Sequence, residues 1–219
     1  MSQTEDLVLN TRRTATYVIC RALVTVLAKI LFRPSIEGAD RIPANGPVII
    51  APIHRSNADF AVSVFLSPRK VFFMSKHSLF NVPILGPLLI RVGAFPVRRG
   101  SADRESMGRA EEVLRRGQAL VLFPEGTRKE GLHVEPLHDG AMFVAARTGA
   151  WVVPVGIGGT ERAMPHGAKF PRLVKVHVIV GEPIAPPSSE GRVRRTQIAA
   201  KSEELRAALE KVYREAMSR

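Results

Sequence analysis

His54 and Asp59 form the arrangement in this chain that most directly suggests chemistry. They are five residues apart and follow the apolar run Val48–Ile53, which predicts a short buried strand. If His54 lies on the loop after that strand and Asp59 lies in the first turn of the next helix, the two side chains can meet. The carboxylate would then fix the tautomer of the imidazole and make it an oriented general base. A simple capping contact at the strand-to-helix turn is the alternative interpretation.

Basic residues follow the ends of three other predicted strands. Lys76 closes one apolar run, Arg99 follows a second, and Arg128 follows a third. In open α/β sheets, ligands bind at the edge where the carboxyl ends of the strands meet. We therefore expect these three cations to hold a phosphate group close to His54.

The segment Leu122–Arg128 (LFPEGTR) combines a strand end with a glycine-containing turn. The turn is predicted to expose backbone N–H groups around Gly126 and Thr127, which could bind a phosphate or stabilise an oxyanion. Glu125 has two possible roles. It could bind a substrate hydroxyl, which we predict, or it could hold the loop by accepting backbone hydrogen bonds.

These residues need a scaffold, and the rest of the chain predicts one. Apolar runs alternate with helical stretches, which predicts an α/β fold: a single domain with a mostly parallel or mixed central sheet flanked by helices. The clearest predicted strands are Val48–Ile53, Lys70–Met74, Ala119–Phe123, Trp151–Ile157 and Val174–Val180, and a further short strand precedes Arg99. The predicted helices are Asp59–Leu66, Asp103–Arg115, Gly140–Arg147 and Arg195–Met217. Residues 36–47 are rich in proline and glycine and are expected to form turns.

Residues 1–34 are expected to form a separate N-terminal element, followed by one domain over residues 35–219 that ends in a charged helix at about 192–217. As a helix, the apolar stretch Tyr17–Phe32 would be about 24 Å long, shorter than a ~30 Å bilayer core. It also contains Arg21 and Lys29. The stretch therefore predicts an amphipathic helix in the membrane interface, with packing on the protein's own core as the alternative.

Composition narrows the classes of partner. The formal net charge of +12 indicates an anionic partner, which could be nucleic acid, an anionic membrane surface or a phosphate-bearing substrate. Nucleic acid is disfavoured because aromatic residues make up only 6% of the chain and most lie in apolar runs. The single cysteine, Cys20, precludes an internal disulfide and favours a reduced, cytosolic environment. No metal is expected. The only candidate ligand cluster is His133, Glu135, His138 and Asp139, and its spacing matches no familiar metal site.

Four ordered segments resemble the sequence blocks of the glycerolipid acyltransferase family, whose best-known members are the 1-acyl-sn-glycerol-3-phosphate (lysophosphatidic acid) acyltransferases. The segments are His54-x4-Asp59, Gly93–Arg99, Phe123–Arg128 and Val152–Val155. Their order and spacing match over roughly residues 34–187. The combination of HxxxxD with FPEGTR about seventy residues later is specific to this family.

The resemblance implies transfer of a fatty acyl group from acyl-CoA or acyl carrier protein to the free hydroxyl of lysophosphatidic acid, giving phosphatidic acid. His54 would be the general base and Asp59 its orienting partner. The acceptor-binding residues that it implies are Lys76, Arg99, Glu125, Gly126, Thr127 and Arg128. No metal or organic cofactor would be needed, because a thioester is already activated. The enzyme would act at the cytoplasmic face of a membrane, with membrane lipids as partners.

Departures from the usual family pattern at Ile53, Arg98 and His138-Asp139 leave the acceptor open. Glycerol 3-phosphate, other lysophospholipids, amino-acid lipids and glycolipids remain alternatives to lysophosphatidic acid. A lipid esterase is an alternative of another class, and it would need a nucleophile such as the serine of G-x-S-x-G, which the sequence lacks. A catalytically inactive membrane-binding protein would be expected to lack the base or its partner.

Overall fold

A mixed seven-stranded sheet flanked by helices forms the scaffold of the protein, in a computed structural model that describes residues 13–97, 104–187 and 194–219. This architecture confirms the predicted α/β class. The strands are β1 (Ser35–Glu37), β2 (Val48–Pro52), β3 (Val71–Lys76), β4 (Ala94–Val97), β5 (Ala119–Val121), β6 (Trp151–Gly158) and β7 (His177–Val180). The α-helices are α1 (Ala15–Phe32), α2 (Ala58–Ser63), α3 (Leu85–Arg91), α4 (Arg104–Arg115), α5 (Gly140–Thr148), α6 (Thr160–Ala163) and α7 (Arg195–Met217).

The strand order is β1-β7-β6-β2-β5-β3-β4. Strands β6, β2, β5, β3 and β4 are parallel neighbours, while β7 runs antiparallel to β6. Five strands therefore end at the same edge of the sheet. All residues of β2 are buried, as expected for a central parallel strand covered on both faces. Its carboxyl end lies between those of β5 and β6, so the loops after three strands meet there.

The helices cover the two faces of the sheet in separate groups. The chain moves outward from β2 to β3 and β4, then returns through β5 to β6, so right-handed crossovers place α2 and α3 on one face and α4 and α5 on the other. Helices α1 and α6 contact α2, whereas α7 contacts α5, β6 and β7. We call the side with α1, α2, α3 and α6 the α2 face, and the side with α4, α5 and α7 the α7 face.

Helix α1 packs on the domain by one side only. Tyr17, Ala28 and Phe32 are buried, and Arg21 donates hydrogen bonds to the carbonyl oxygens of Ser67 and Arg69. The opposite side is apolar and exposed, at Val18, Ile19, Leu23, Val26, Leu27 and Ile30. Within the described part of the chain, α1 is the one helix long and apolar enough to cross a membrane by length and composition, properties that signal sequences and core helices share.

The structure corrects three details of the sequence-based prediction. The segment predicted as turns contains most of β1 and a 3₁₀ helix at Ala39–Arg41. Strand β1 was missed because a three-residue strand is too short to show periodicity. The last strand begins at His177 rather than Val174. Helix α3 was not predicted, because Pro83, Gly86 and Pro87 indicate a turn, although proline is tolerated in the first turn of a helix.

Two glycines of β6 allow α7 to approach the sheet closely. A Cβ added at Gly156 would lie 2.6 Å from the backbone nitrogen of Tyr213, and a Cβ at Gly158 would also meet α7 backbone. We therefore expect Gly156→Ala to lower the free energy of unfolding by about 1–3 kcal/mol, because backbone atoms cannot move aside as a flexible side chain can.

Denaturation in urea would measure this change. Gly108→Ala in α4 is the matched control, since a Cβ there meets nothing within 4 Å. It should raise stability by about 0.5–1 kcal/mol. Equal stability of the Gly156→Ala variant and the unsubstituted protein would contradict the close approach of α7.

Candidate active site

His54 and Asp59 meet at the carboxyl end of β2. His54 lies on the loop between β2 and α2, and Asp59 lies in the first turn of α2. The distance from His54 Nδ1 to Asp59 Oδ2 is 3.2 Å. The contact has the geometry that the sequence predicted, while its catalytic role stays a prediction.

The carboxylate of Asp59 is fully buried and organises the loop around it. Its Oδ2 accepts the backbone N–H groups of Arg55 and Ser56, each at 2.7 Å, and its Oδ1 accepts the hydroxyl of Thr160 at 2.5 Å. A buried carboxylate is tolerated only with such partners. Thr160 follows β6, so this carboxylate joins the loops after two adjacent strands.

The imidazole of His54 is fixed on every side but one. Its ring stacks on Phe123 with the centroids 4.2 Å apart. The backbone N–H donates to Glu125 Oε2 at 2.8 Å, and the carbonyl oxygen accepts the N–H of Lys129 at 2.9 Å. Nε2 has no hydrogen-bond partner within the described residues, and the side chain is 9% exposed. Nε2 is thus the ring nitrogen left for a substrate.

Arg55 and Glu125 form a buried ion pair beside this histidine. Arg55 Nη1 lies 2.7 and 2.8 Å from the two oxygens of Glu125, and the side chains are 1% and 0% exposed. The rest of the guanidinium donates to the carbonyl oxygens of Gly131 and His133, at 3.1 and 2.9 Å. Its carbon lies 5.1 Å from the centroid of the Tyr213 ring in α7. The pair therefore ties the loop after β2 to the loop after β5.

These contacts bear on the two roles considered for Glu125. Both carboxylate oxygens are occupied by Arg55 and by the N–H of His54, which favours the loop-holding role. The expectation of exposed N–H groups in the turn was wrong at two positions, because Gly126 donates to Phe123 and Thr127 donates to Glu125 within the turn itself. Gly126 has φ +69°, and a Cβ there would lie 2.7 Å from the His138 ring, so the turn requires glycine.

Two of the three cations predicted to bind phosphate, Lys76 and Arg128, lie at the same edge of the sheet. Lys76 is the last residue of β3 and is exposed, and Arg128 is half-buried in the loop after β5, beside the exposed Thr127. Neither Lys76 nor Arg128 forms an ion pair or a side-chain hydrogen bond with any described residue. Arg99 lies outside the described residues; β4, which precedes it, pairs with β3 so that Val97 is opposite Lys76.

Four residues of the site were not identified from the sequence: Arg55, Phe123, Thr160 and Tyr213. Arg55 and Phe123 lie within the recognised motifs, but the sequence does not show which residues they contact. Thr160 directly follows the strand beside β2, and that adjacency is a property of the sheet order. Burial raises the pKa of Tyr213, with a further rise from the nearby carboxylate of Glu161, so its phenol stays neutral at physiological pH.

The metal-ligand candidates are engaged elsewhere. His133 contacts Glu210, Glu135 pairs with Lys129, and Asp139 accepts the hydroxyl of Ser202. Within residues 13–97, 104–187 and 194–219, no three His, Cys, Asp or Glu side chains are grouped as a metal ion would require.

Comparison with known proteins places this site in a wider context. A model of the acyltransferase family matches residues 33–158. A chloroplastic 1-acyl-sn-glycerol-3-phosphate acyltransferase of Arabidopsis thaliana is 31% identical over 178 residues, which are 79% of this chain and 49% of that protein. The 1-acyl-sn-glycerol-3-phosphate acyltransferase of Bacillus subtilis is 27% identical over 169 residues, covering 77% of this chain and 82% of that protein. The chain thus spans about half the length of the plant relatives that it matches.

A crystal structure shows the same fold. The 1-acyl-sn-glycerophosphate acyltransferase PlsC of Thermotoga maritima superposes with a TM-score of 0.71 at 22% identity, covering 90% of this chain and 80% of that one. The matched family region, residues 33–158, contains both His54 and Asp59 and the loop after β5.

Replacing Arg55 tests whether the buried ion pair holds the site together. Arg55→Met should lower the free energy of unfolding by about 3–5 kcal/mol, because the charge of Glu125 would remain buried without its partner. Arg55→Met combined with Glu125→Gln should recover part of that loss, since no unpaired charge is left. Urea denaturation of the two single variants and the double variant gives the coupling energy.

The exposed pair Arg109–Glu105 on α4 provides the control, because solvent screens its charges. Arg109→Met should have little effect. Additive losses for Arg55→Met and Glu125→Gln would show that the two side chains do not stabilise each other.

Proposed function

The chain belongs to the acyltransferase family, and we propose that it transfers a fatty acyl group from an acyl thioester to the free hydroxyl of lysophosphatidic acid, giving phosphatidic acid. One observation carries this proposal above the others. His54, with Nδ1 held by Asp59 and Nε2 left for a substrate, lies at the same sheet edge as Lys76 and Arg128, two cations that pair with no described residue.

His54 acts as the general base in the proposed reaction. Nε2 removes the proton of the acceptor hydroxyl as its oxygen attacks the thioester carbonyl carbon. Asp59 holds the other nitrogen and stabilises the imidazolium that forms. The carbon–sulfur bond then breaks, and the leaving thiolate takes the proton from His54. The proton balance closes, and the chain needs no covalent intermediate of its own.

The acceptor is anchored through its phosphate. A phosphate group requires charged or N–H donors, and Arg128 offers a guanidinium with no other partner among the described residues. Lys76 offers a point charge on the strand beside β5. Arg99 follows β4 in the sequence and is proposed as a third phosphate-binding cation. Thr127 is exposed next to Arg128, where its hydroxyl can contribute a further hydrogen bond.

Glu125 and Gly126 serve the acceptor site indirectly. The carboxylate of Glu125 is committed to Arg55 and to the N–H of His54, so we assign it a positioning role in place of direct substrate binding. Gly126 allows the turn that presents Thr127 and Arg128. The acceptor site is thus built on a turn in which the Glu125 carboxylate and the N–H groups of Gly126 and Thr127 are already hydrogen-bonded.

The donor is either acyl-CoA or acyl carrier protein, as both present the same thioester. The acyl chain of the acceptor partitions into apolar phases, so the acceptor is presented at the surface of a membrane or of a micelle. The exposed apolar side of α1 suits the interface of that membrane, on its cytoplasmic face. Arg21 is accommodated on the inner side of α1 by the domain, which leaves the outer side free of charge at Ile19, Leu23, Val26 and Ile30.

Substitution of His54 tests the general base. We expect His54→Ala to reduce kcat by about 10²–10⁴-fold in an assay that follows acyl transfer from acyl-CoA to lysophosphatidic acid. Far-UV circular dichroism should remain that of the unsubstituted protein. His177→Ala, on β7 and two strands from β2 in the sheet order, is the control and should keep full activity. Turnover by His54→Ala at the rate of the control would refute the assignment.

Substitution of Arg128 tests recognition of the phosphate. Arg128→Gln should reduce kcat/KM for lysophosphatidic acid by about 10- to 100-fold, which corresponds to one charge-assisted hydrogen bond. The loss should be much smaller with monoacylglycerol, which has the same acyl chain and the same acceptor hydroxyl but a second hydroxyl in place of the phosphate. Equal losses for both acceptors would show that Arg128 acts on something other than the phosphate.

A further inference from the structure

Exposed apolar side chains are concentrated on the α2 face. All but three of the large hydrophobic residues exposed in the described part of the chain lie in three segments of that face: the outer side of α1, residues 79–88, and residues 170–173. The three exceptions are Leu132, Phe143 and Trp151. The most exposed side chain of the third segment, Phe170, is 81% exposed, and Leu173 is 69% exposed.

The third segment belongs to a loop between α6 and β7, residues 164–176, which we call the basic loop. Its exposed cations Lys169, Arg172 and Lys175 alternate with Phe170 and Leu173, and the loop contains no Asp or Glu. None of the three cations forms an ion pair or side-chain hydrogen bond with a described residue.

Three cations on the α7 face differ in this respect. On α7, Arg206 pairs with Glu203 and Glu210, Arg214 pairs with Glu210, and Lys201 pairs with Glu204. The positive charge of those residues is therefore compensated within the helix. The charge of the basic loop is compensated by no acidic residue of its own segment, so it is available to an external anion.

The backbone holds the basic loop at both ends and leaves its middle exposed. At its start, the carbonyl oxygen of Met164 accepts the hydroxyl of Ser56, in the loop that carries His54, at 2.8 Å. At its end, the N–H of Val176 donates to the carbonyl oxygen of Phe32, in the last turn of α1, at 2.9 Å. The basic loop thus connects the candidate active site to the C-terminal end of α1.

We propose that the basic loop is a second membrane-contact element, which binds an anionic bilayer beside α1. Phe170 and Leu173 enter the interfacial region, and Lys169, Arg172 and Lys175 bind lipid headgroup phosphates. A bilayer fits better than a soluble acidic partner, because apolar and cationic side chains alternate and the surface continues into the exposed apolar residues of α1, where Lys29 is also exposed. This proposal rests on the proposed function, because the bilayer is the partner at which that function would take place. It concerns binding alone, so it can be tested without measuring catalysis.

The consequence is a defined orientation of the enzyme. One contact along α1 alone leaves the protein free to rotate about the helix axis. A second contact at the basic loop removes that freedom, and the bond between Ser56 and Met164 then sets the height of the His54 loop above the bilayer. The lipid acceptor would meet Nε2 without leaving the headgroup region.

Cosedimentation of the full chain with vesicles tests the proposal. The charge variant Lys169→Gln/Arg172→Gln/Lys175→Gln should bind vesicles of phosphatidylcholine and phosphatidylglycerol about a hundredfold more weakly than the unsubstituted protein. The difference should shrink at high salt and on pure phosphatidylcholine, since screening weakens headgroup attraction. Phe170→Ser should weaken binding several-fold on both kinds of vesicle, because its contribution is apolar.

Matched controls on the α7 face separate a local effect from a loss of net charge. Arg195→Gln/Lys201→Gln/Lys211→Gln removes the same three charges, and Phe143→Ser removes an exposed phenylalanine. Both controls should bind like the unsubstituted protein. Equal binding by loop variants and controls overturns the proposal. Normal vesicle binding with a raised KM for acyl carrier protein, but not for acyl-CoA, would assign the loop to a protein donor and also overturn it.

Activity in detergent micelles keeps this proposal distinct from the proposed function. Loop variants that bind bilayers weakly but transfer acyl groups normally in micelles support a purely membrane-binding role. An unsubstituted protein that binds vesicles through the loop but transfers no acyl group would refute the proposed function and leave the membrane contact standing. Loop variants that bind vesicles normally, with acyl transfer intact, would refute the membrane contact and leave the proposed function standing.

Discussion

The buried carboxylate of Glu125 is the constraint on which the geometry of the site depends. It accepts the N–H of His54 and the guanidinium of Arg55, and it has no exposure to water. A charge in that position must be compensated fully, because its desolvation costs several kcal/mol that only well-placed partners offset. Any displacement of the loop after β5 relative to the loop after β2 would break that compensation. The orientation of the histidine is therefore enforced by an ion pair that need not touch a substrate.

The sheet makes this constraint possible. Val48 of β2 is opposite Ala119 of β5 and Trp151 of β6, so the three strands are in register and their carboxyl ends are brought to one edge. His54 and Asp59 are then held from opposite sides. His54 donates its N–H to Glu125 in the loop after β5, and Asp59 accepts the hydroxyl of Thr160, which follows β6. A histidine on an edge strand would have been held from one side only. The central position of β2 is what allows a short loop to be held from two directions.

The sequence predicted the local parts of this arrangement better than the long-range ones. The contact between His54 and Asp59 spans five residues and follows from the turn into α2, so a motif is enough to predict it. The pairs Arg55–Glu125 and Asp59–Thr160 span 70 and 101 residues, and they depend on the strand order, which no local pattern encodes. Helix α3 and strand β1 were missed although both are local elements. Helix α3 contains proline and β1 has only three residues, so neither shows a usable periodicity.

Net charge identifies an anionic partner but not where it binds, and the structure resolves that question by separating paired from unpaired cations. On α7, Arg206 and Arg214 are paired with glutamates about one turn away, which stabilises the helix and compensates their charge locally. Among the described cations that form no ion pair, Lys76 and Arg128 lie at the sheet edge beside His54, and Lys169, Arg172 and Lys175 lie in the basic loop. The sheet edge suits a single phosphate, because Lys76 ends β3 and Arg128 lies in the loop after the adjacent strand β5. The basic loop suits a surface of many phosphates, because its cations alternate with exposed apolar groups. An acceptor with one phosphate head and an apolar tail, presented by a bilayer, satisfies both distributions at once.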